Sequence, residues 1–349
     1  MVGDSPVALA IRAEIGARRS SLKATAPNRF AGAKAIVLVA HGADFEQSMR
    51  TKQAERRLAL EERAERVMVD ALIARVPHVV VISSAMVNGA SLGREIIADD
   101  TPPRDLTDGF VGDIIHCEQI LQRAVLNITQ GAGETKFTVL RMAAVVGPGV
   151  DTLITRHFEA PRLLSLKGEP RDWQFVHVND VAHAVETVVD QHLYGSLVVG
   201  AVRPSAVGTV EQTLLAAALS DANMPQFEPD TLSTATVCTL ARTRTIELTE
   251  ATAFAMAERL HQIGVLPAPP VDMEYAVYDW TVRPDRLLAA GWRPEFSSAQ
   301  CVGVLMDQVH GKMGVGGRRV DAAALGAAGA AVAVLGTAAA WRQVRTGRK

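Results

Sequence analysis

Val79-Val80-Val81-Ile82-Ser83-Ser84-Ala85-Met86-Val87-Asn88-Gly89 opens the stretch, running on to Leu121, whose reading decides the fold. Four β-branched aliphatic residues in a row leave no polar face. Such a run predicts a strand buried on both sides, as in a parallel sheet. It ends in two small hydroxyls, and a polar loop then leads to a helical pattern near Phe110–Arg123. In an open doubly wound sheet, ligands sit beyond the carboxyl ends of the strands. Ser83 and Ser84 are at such an end.

Working outward, Ala35-Ile36-Val37-Leu38-Val39-Ala40-His41 and Lys136-Phe137-Thr138-Val139-Leu140-Arg141 are two more strands of the same kind, and Leu197-Val198-Val199-Gly200 is a shorter one. Met1–Ala10 leads into a helical pattern through Gly16, and between the strands lie Met49 to Arg75, with i,i+4 charges on a solvated face, and a helix reaching about Val189 for which Asn179 or Asp180 can supply the cap. Glu250 to Ile263 is a further helix. Strands alternating with helices predict an α/β class: a Rossmann-like doubly wound parallel sheet over residues 1–200, then a smaller C-terminal α/β lobe over 201–317.

The 349 residues are 48% hydrophobic with a formal net charge of -2. That balance offers no bulk attraction to nucleic acid. Cys117, Cys238 and Cys301 are scattered without metal-ligand spacing, which fits buried free thiols in a reducing cytoplasm. Residues 318–349 differ. Ala322–Trp341 is Ala-, Gly-, Val- and Leu-rich, with Arg318 and Arg319 before it and Arg342, Arg345, Arg348 and Lys349 after. At about 1.5 Å per residue a helix there could cross a core of about 30 Å. Two readings stay open: attachment to the inner face of the cell membrane, or an Ala-rich helix packed on the domain. Self-association into a homo-oligomer is left open as well.

The central stretch resembles the extended branch of the short-chain dehydrogenase/reductase superfamily, the NAD-dependent epimerases and dehydratases. That family has a strand ending in Ser-Ser, a loop Tyr-Gly, then Tyr-x-x-x-Lys on a helix with Glu four residues after the Lys. Aligned on Ser83, Ser84, Gly89 and Glu118, the pattern puts Phe110 at the Tyr position, Ile114 at the Lys position and Asn88 at the loop Tyr. Three further elements resemble the family in its order: Arg141 with Gly147-Pro148-Gly149, then Phe175-Val176-His177-Val178-Asn179-Asp180-Val181-Ala182, then Gly291-Trp292-x-Pro294. His177 is expected to fix structure.

The resemblance implies a nicotinamide cofactor, NAD or NADP, and a nucleotide sugar as small-molecule partner. It implies cofactor contacts from Gly3 and Ser5 in the first turn, from Ala40 and His41 at a strand end, and from Ser83. The family's glycine-rich turn is degenerate here, with Pro6 and Leu9 where its second and third glycines would lie. Pro6 has no N–H and Leu9 brings bulk, so weak or absent cofactor binding is expected.

In the family, Tyr moves the proton and Lys lowers its pKa. Phe110 and Ile114 can do neither. At 100° per residue, Phe110, Asp113, Ile114 and Cys117 should share one helix face, with His116 and Glu118 to either side. The candidate catalytic set is therefore Ser83, Ser84 and Asp113, with Asp113 as substitute acid/base. Two functions remain: a catalytically degenerate scaffold that binds a nucleotide or partner, or an active oxidoreductase or epimerase working through Asp113.

Overall fold

A computed structural model describes residues 2–3, 5–16, 30–39, 45, 51–129, 135–169, 171–205, 227–263, 266 and 268–314. In chain order, the elements that matter here are α1 (Pro6–Glu14), β1 (Ile36–Val39), α2 (Gln53–Ile73), β2 (His78–Ser84), α3 (Gly109–Thr129), β3 (Lys136–Met142), β4 (Ala144–Val146), β5 (Asp172–His177), α4 (Val178–Asp190), β6 (Gly195–Val199) and β7 (Thr231–Ser233).

The central sheet is parallel, in the order β1-β2-β3-β6. Val2 makes an isolated parallel bridge to Leu38 of β1. All seven residues of β2 are buried, and successive residues serve opposite faces. Val37, Val39, Val80 and Ile82 join one core with α1 and α4, while Ile36, Leu38, Val79 and Val81 join a second with α2 and α3. The fold class read from the apolar runs is the one observed, with helices covering both faces.

The outer edge of the sheet, β6, is closed by a loop. Asp100 N–H donates to the Ser196 carbonyl at 2.8 Å, and its Oδ1 accepts from Ser196 N–H at 3.0 Å. Asp99 Oδ1 accepts from Val198 N–H at 2.9 Å, and its Oδ2 from Arg286 N–H at 2.9 Å.

After β3 the chain turns through β4 into a second sheet, β7-β5-β4, with β5 parallel to β4 and antiparallel to β7. Arg162–Leu166 pairs in parallel with Arg244–Leu248, joining segments on either side of residue 201. The cap of α4 corrects the expectation. His177 Nδ1 accepts from Asn179 N–H at 3.3 Å and is the cap. Asp180 instead accepts from the amides of Glu295 and Phe296, at 2.7 and 3.2 Å, and ties α4 to the C-terminal segment. Its carboxylate is drawn by two free amides across the chain, a pull that local sequence does not show. Ala322–Trp341 lies outside the described residues. Among the described residues no helix is long and apolar enough to cross a membrane.

Candidate functional site

The carboxyl ends of β1 and β2 face the first turns of α1 and α3. At α1, Ser5 is the cap: its hydroxyl accepts from Ala8 N–H at 3.2 Å, and Leu9 N–H donates to the Ser5 carbonyl. Pro6, at the first helical position, has no N–H. A Cβ on Gly3 would stand 3.3 Å from Ala8 Cβ and 3.6 Å from Val39 Cβ, so strand and helix already meet closely there. A dinucleotide pyrophosphate is held by free amides at such a helix start. Here Pro6 has no amide to offer and that of Ala8 is used by the helix's own cap, so the described part of this turn has fewer free amides for such a group. Ala40 and His41 lie outside the described residues.

At the end of β2 both serines are engaged. Ser84 Oγ caps the short 3-10 turn Ala85–Asn88, accepting from Met86 N–H at 3.3 Å. Ser83 Oγ donates to Glu118 Oε1 through a short hydrogen bond. Arg141 grips the same carboxylate, Nη2 to Oε2 at 2.7 Å and Nε to Oε1 at 3.2 Å, and its Nη1 reaches the Thr101 carbonyl at 2.5 Å. Arg141 and Glu118 are 4% and 5% exposed, so the charges are paired inside the protein as burial demands. Asn88 pins the loop, donating from Nδ2 to the Thr101 and Pro102 carbonyls.

Helix α3 does not present one shared face. Phe110 and Ile114 are buried with the α1-side core, and the Phe110 ring meets Phe45 edge-on at 5.1 Å between centroids. Cys117 belongs to the other core, where burial raises its thiol pKa to about 12. Asp113 turns to α2: Oδ2 accepts from Arg56 Nε at 2.6 Å and Oδ1 from Arg57 Nε at 3.0 Å. All four side chains are buried, but the Asp113 carboxylate is given to Arg56 and Arg57 and not to the strand ends. The structure brings Ser83 near Glu118, and gives Asp113 a separate set of partners.

Sequence reasoning missed a second cluster, at the start of β5. Arg171, at the entry of β5, is 5% exposed and lies with Cζ 3.5 Å from the Trp173 ring centroid. His157 is fully buried and stacks on the same indole at 5.8 Å. Among the described residues, Arg171 Nε and Nη1 and both His157 ring nitrogens find no hydrogen-bond partner. Burial lowers the Arg171 pKa to about 9, opposed by Asp279, and lowers that of His157 to about 3, helped by repulsion from Arg171. Four buried polar nitrogens without partners are a costly arrangement. Thr234 Oγ1 donates to the Arg171 carbonyl, and on its other side Thr234, with Gly168 and Glu169, lines an open groove of about 720 Å³ that Arg171 and His157 do not line. The only sequence signal was an Arg directly ahead of an apolar strand. Among the described residues no group of His, Cys, Asp and Glu could hold a metal.

No protein-family model and no curated protein matches the sequence. Solved structures do match in fold. MoeE5 in complex with UDP-glucose and NAD is 18% identical, with a TM-score of 0.51 over 83% of this chain and 84% of that one. The gox2253 structure gives 0.55 at 15% identity over 86% and 87%. RMD from Pseudomonas aeruginosa complexed with NADPH gives 0.50 at 14% over 88% and 96%. The resemblance drawn from the sequence thus holds at the level of fold.

Proposed function

We propose that this chain is a catalytically silent member of the extended short-chain dehydrogenase/reductases, a scaffold that binds a nucleotide sugar without transforming it. One observation carries the reading: among the described residues, the polar groups near the strand ends that could move a proton are committed elsewhere. Ser83 donates to Glu118, Glu118 is gripped by Arg141, and Asp113 is held by Arg56 and Arg57. Phe110 and Ile114, at the family's Tyr and Lys positions, are buried side chains of the core. The start of α1 supports weak nicotinamide-dinucleotide binding at most.

The Arg171 cluster supports the nucleotide half of the reading. Arg171 carries N–H donors without a protein partner, and a diphosphate suits a guanidinium stacked on an indole. MoeE5, which shares the fold, was solved with UDP-glucose.

Calorimetry on the full chain with UDP-glucose, NAD(H) and NADP(H) tests this. We expect UDP-glucose to bind and Arg171→Ala to weaken it about tenfold or more, with both dinucleotides binding far less tightly. Turnover of a nucleotide sugar in the presence of cofactor, lost about 10²-fold on Asp113→Ala, would overturn the reading in favour of an active enzyme. Absence of UDP-glucose binding would remove the nucleotide half.

A further inference from the structure

The first turn of α3 is held from the far side of the molecule. Asp272, in the lobe turn Pro270–Met273, accepts from Phe110 N–H at 2.7 Å through Oδ2 and from Val111 N–H at 3.3 Å through Oδ1. It is 1% exposed and 162 residues from Phe110 in sequence. The approach depends on Gly109, whose φ is +84° and where a Cβ would collide with the Asp272 carboxylate and stand 2.7 Å from Pro269 Cγ. Two residues on, Glu274 pairs with Arg104, and Arg104 Nη1 donates to Tyr275 Oη at 3.3 Å. The lobe therefore clasps both α3 and the loop ahead of it with one short segment.

We propose that Asp272 is a proton-sensitive latch that fastens the lobe to the first turn of α3. Few cations face it directly. Asp113 on α3 and Glu274 on its own segment both repel its charge; Asp113 is itself neutralised by Arg56 and Arg57, and Glu274 by Arg104. Arg57, Asp108 and Glu258 line the open groove on the other side of Pro269, Pro270 and Val271. Burial outweighs the two amide hydrogen bonds, and the Asp272 pKa rises from 3.8 to about 7. An acid whose pKa is raised in the closed state holds that state best when protonated. The closing free energy is complete below the open-state pKa and is lost as pH rises to about 7, beyond which it is flat. The inference stands whether or not the cleft binds a nucleotide.

Amide hydrogen exchange on the full chain, corrected for intrinsic chemistry, tests the latch. Opening at Phe110 and Val111 and at residues 274–277 should rise together by about tenfold or more between pH 5 and 7, then level off. Glu274→Gln, which spares Asp272, should keep that rise, and Asp272→Asn should abolish it. A flat wild-type profile, unlinked behaviour of the two segments, or a rise that persists in Asp272→Asn would overturn the proposal. The wild-type profile decides it even where a variant does not fold.

Discussion

Ile114 is 1% exposed among aliphatic neighbours, and Phe110 packs on Phe45. Restoring the family pair should therefore be costly in one half and mild in the other. Phe110→Tyr adds one hydroxyl, whereas Ile114→Lys buries a cation and should cost about 3–5 kcal/mol unless an anion meets it. Urea unfolding of the two single variants separates these effects; equal stabilities would mean that position 114 opens to water. Asp113 calls for the opposite experiment. Its carboxylate joins two guanidiniums that are 13% and 21% exposed, so Asp113→Ala should cost about 1–3 kcal/mol while leaving UDP-glucose binding unchanged. The helical wheel placed Asp113 with Phe110 because it knows only angles within one helix. Arg56 and Arg57 stand more than 50 positions away, and no local pattern reveals them.

At the level of elements, the strands were legible because burial on both faces erases polar residues altogether. Val79–Ser83 and Phe137–Arg141 lie side by side as their composition required. Cap identities were not legible: His177 displaced Asn179 and Asp180, and α3 is capped from another region of the chain. The start of α3 offers a test where two opposing magnitudes decide the sign. A glycine inside a helix ordinarily gains about 1 kcal/mol on replacement by alanine. At Gly112 the new methyl would collide with the Thr107 carbonyl oxygen and carbon, which are backbone and cannot swing aside. Gly112→Ala should therefore destabilise, by about 1–3 kcal/mol, with a lower thermal midpoint. A gain would show that residues 107–109 yield easily.

For the whole molecule, the buried His157 makes acid costly, against the opposite pull of Asp272. His157 sits fully buried against Trp173 with a pKa near 3, against 6.5 in water. A depressed histidine pKa contributes stability that is complete above pH 6.5 and drains away as pH falls toward 3. His157→Phe keeps a ring in the stack with Phe158 and Trp173 and removes the proton site. Its thermal midpoint should fall less than that of the parent between pH 6.5 and 4. Parallel curves would mean that other groups govern acid unfolding.

The two aspartates beside β6 have a consequence for the protein's behaviour in a crowded solution. A bare terminal strand invites any extended chain to add itself, backbone to backbone. Asp99 and Asp100 answer the outward amides of Ser196 and Val198 with carboxylates, and carry charge where an incoming strand would have to lie. They act as a stopper on sheet growth. With both replaced by alanine, the fold should persist at low concentration while light scattering climbs with protein concentration. A double variant that stays as monodisperse as the parent would mean that the neighbouring loop blocks the edge by bulk alone.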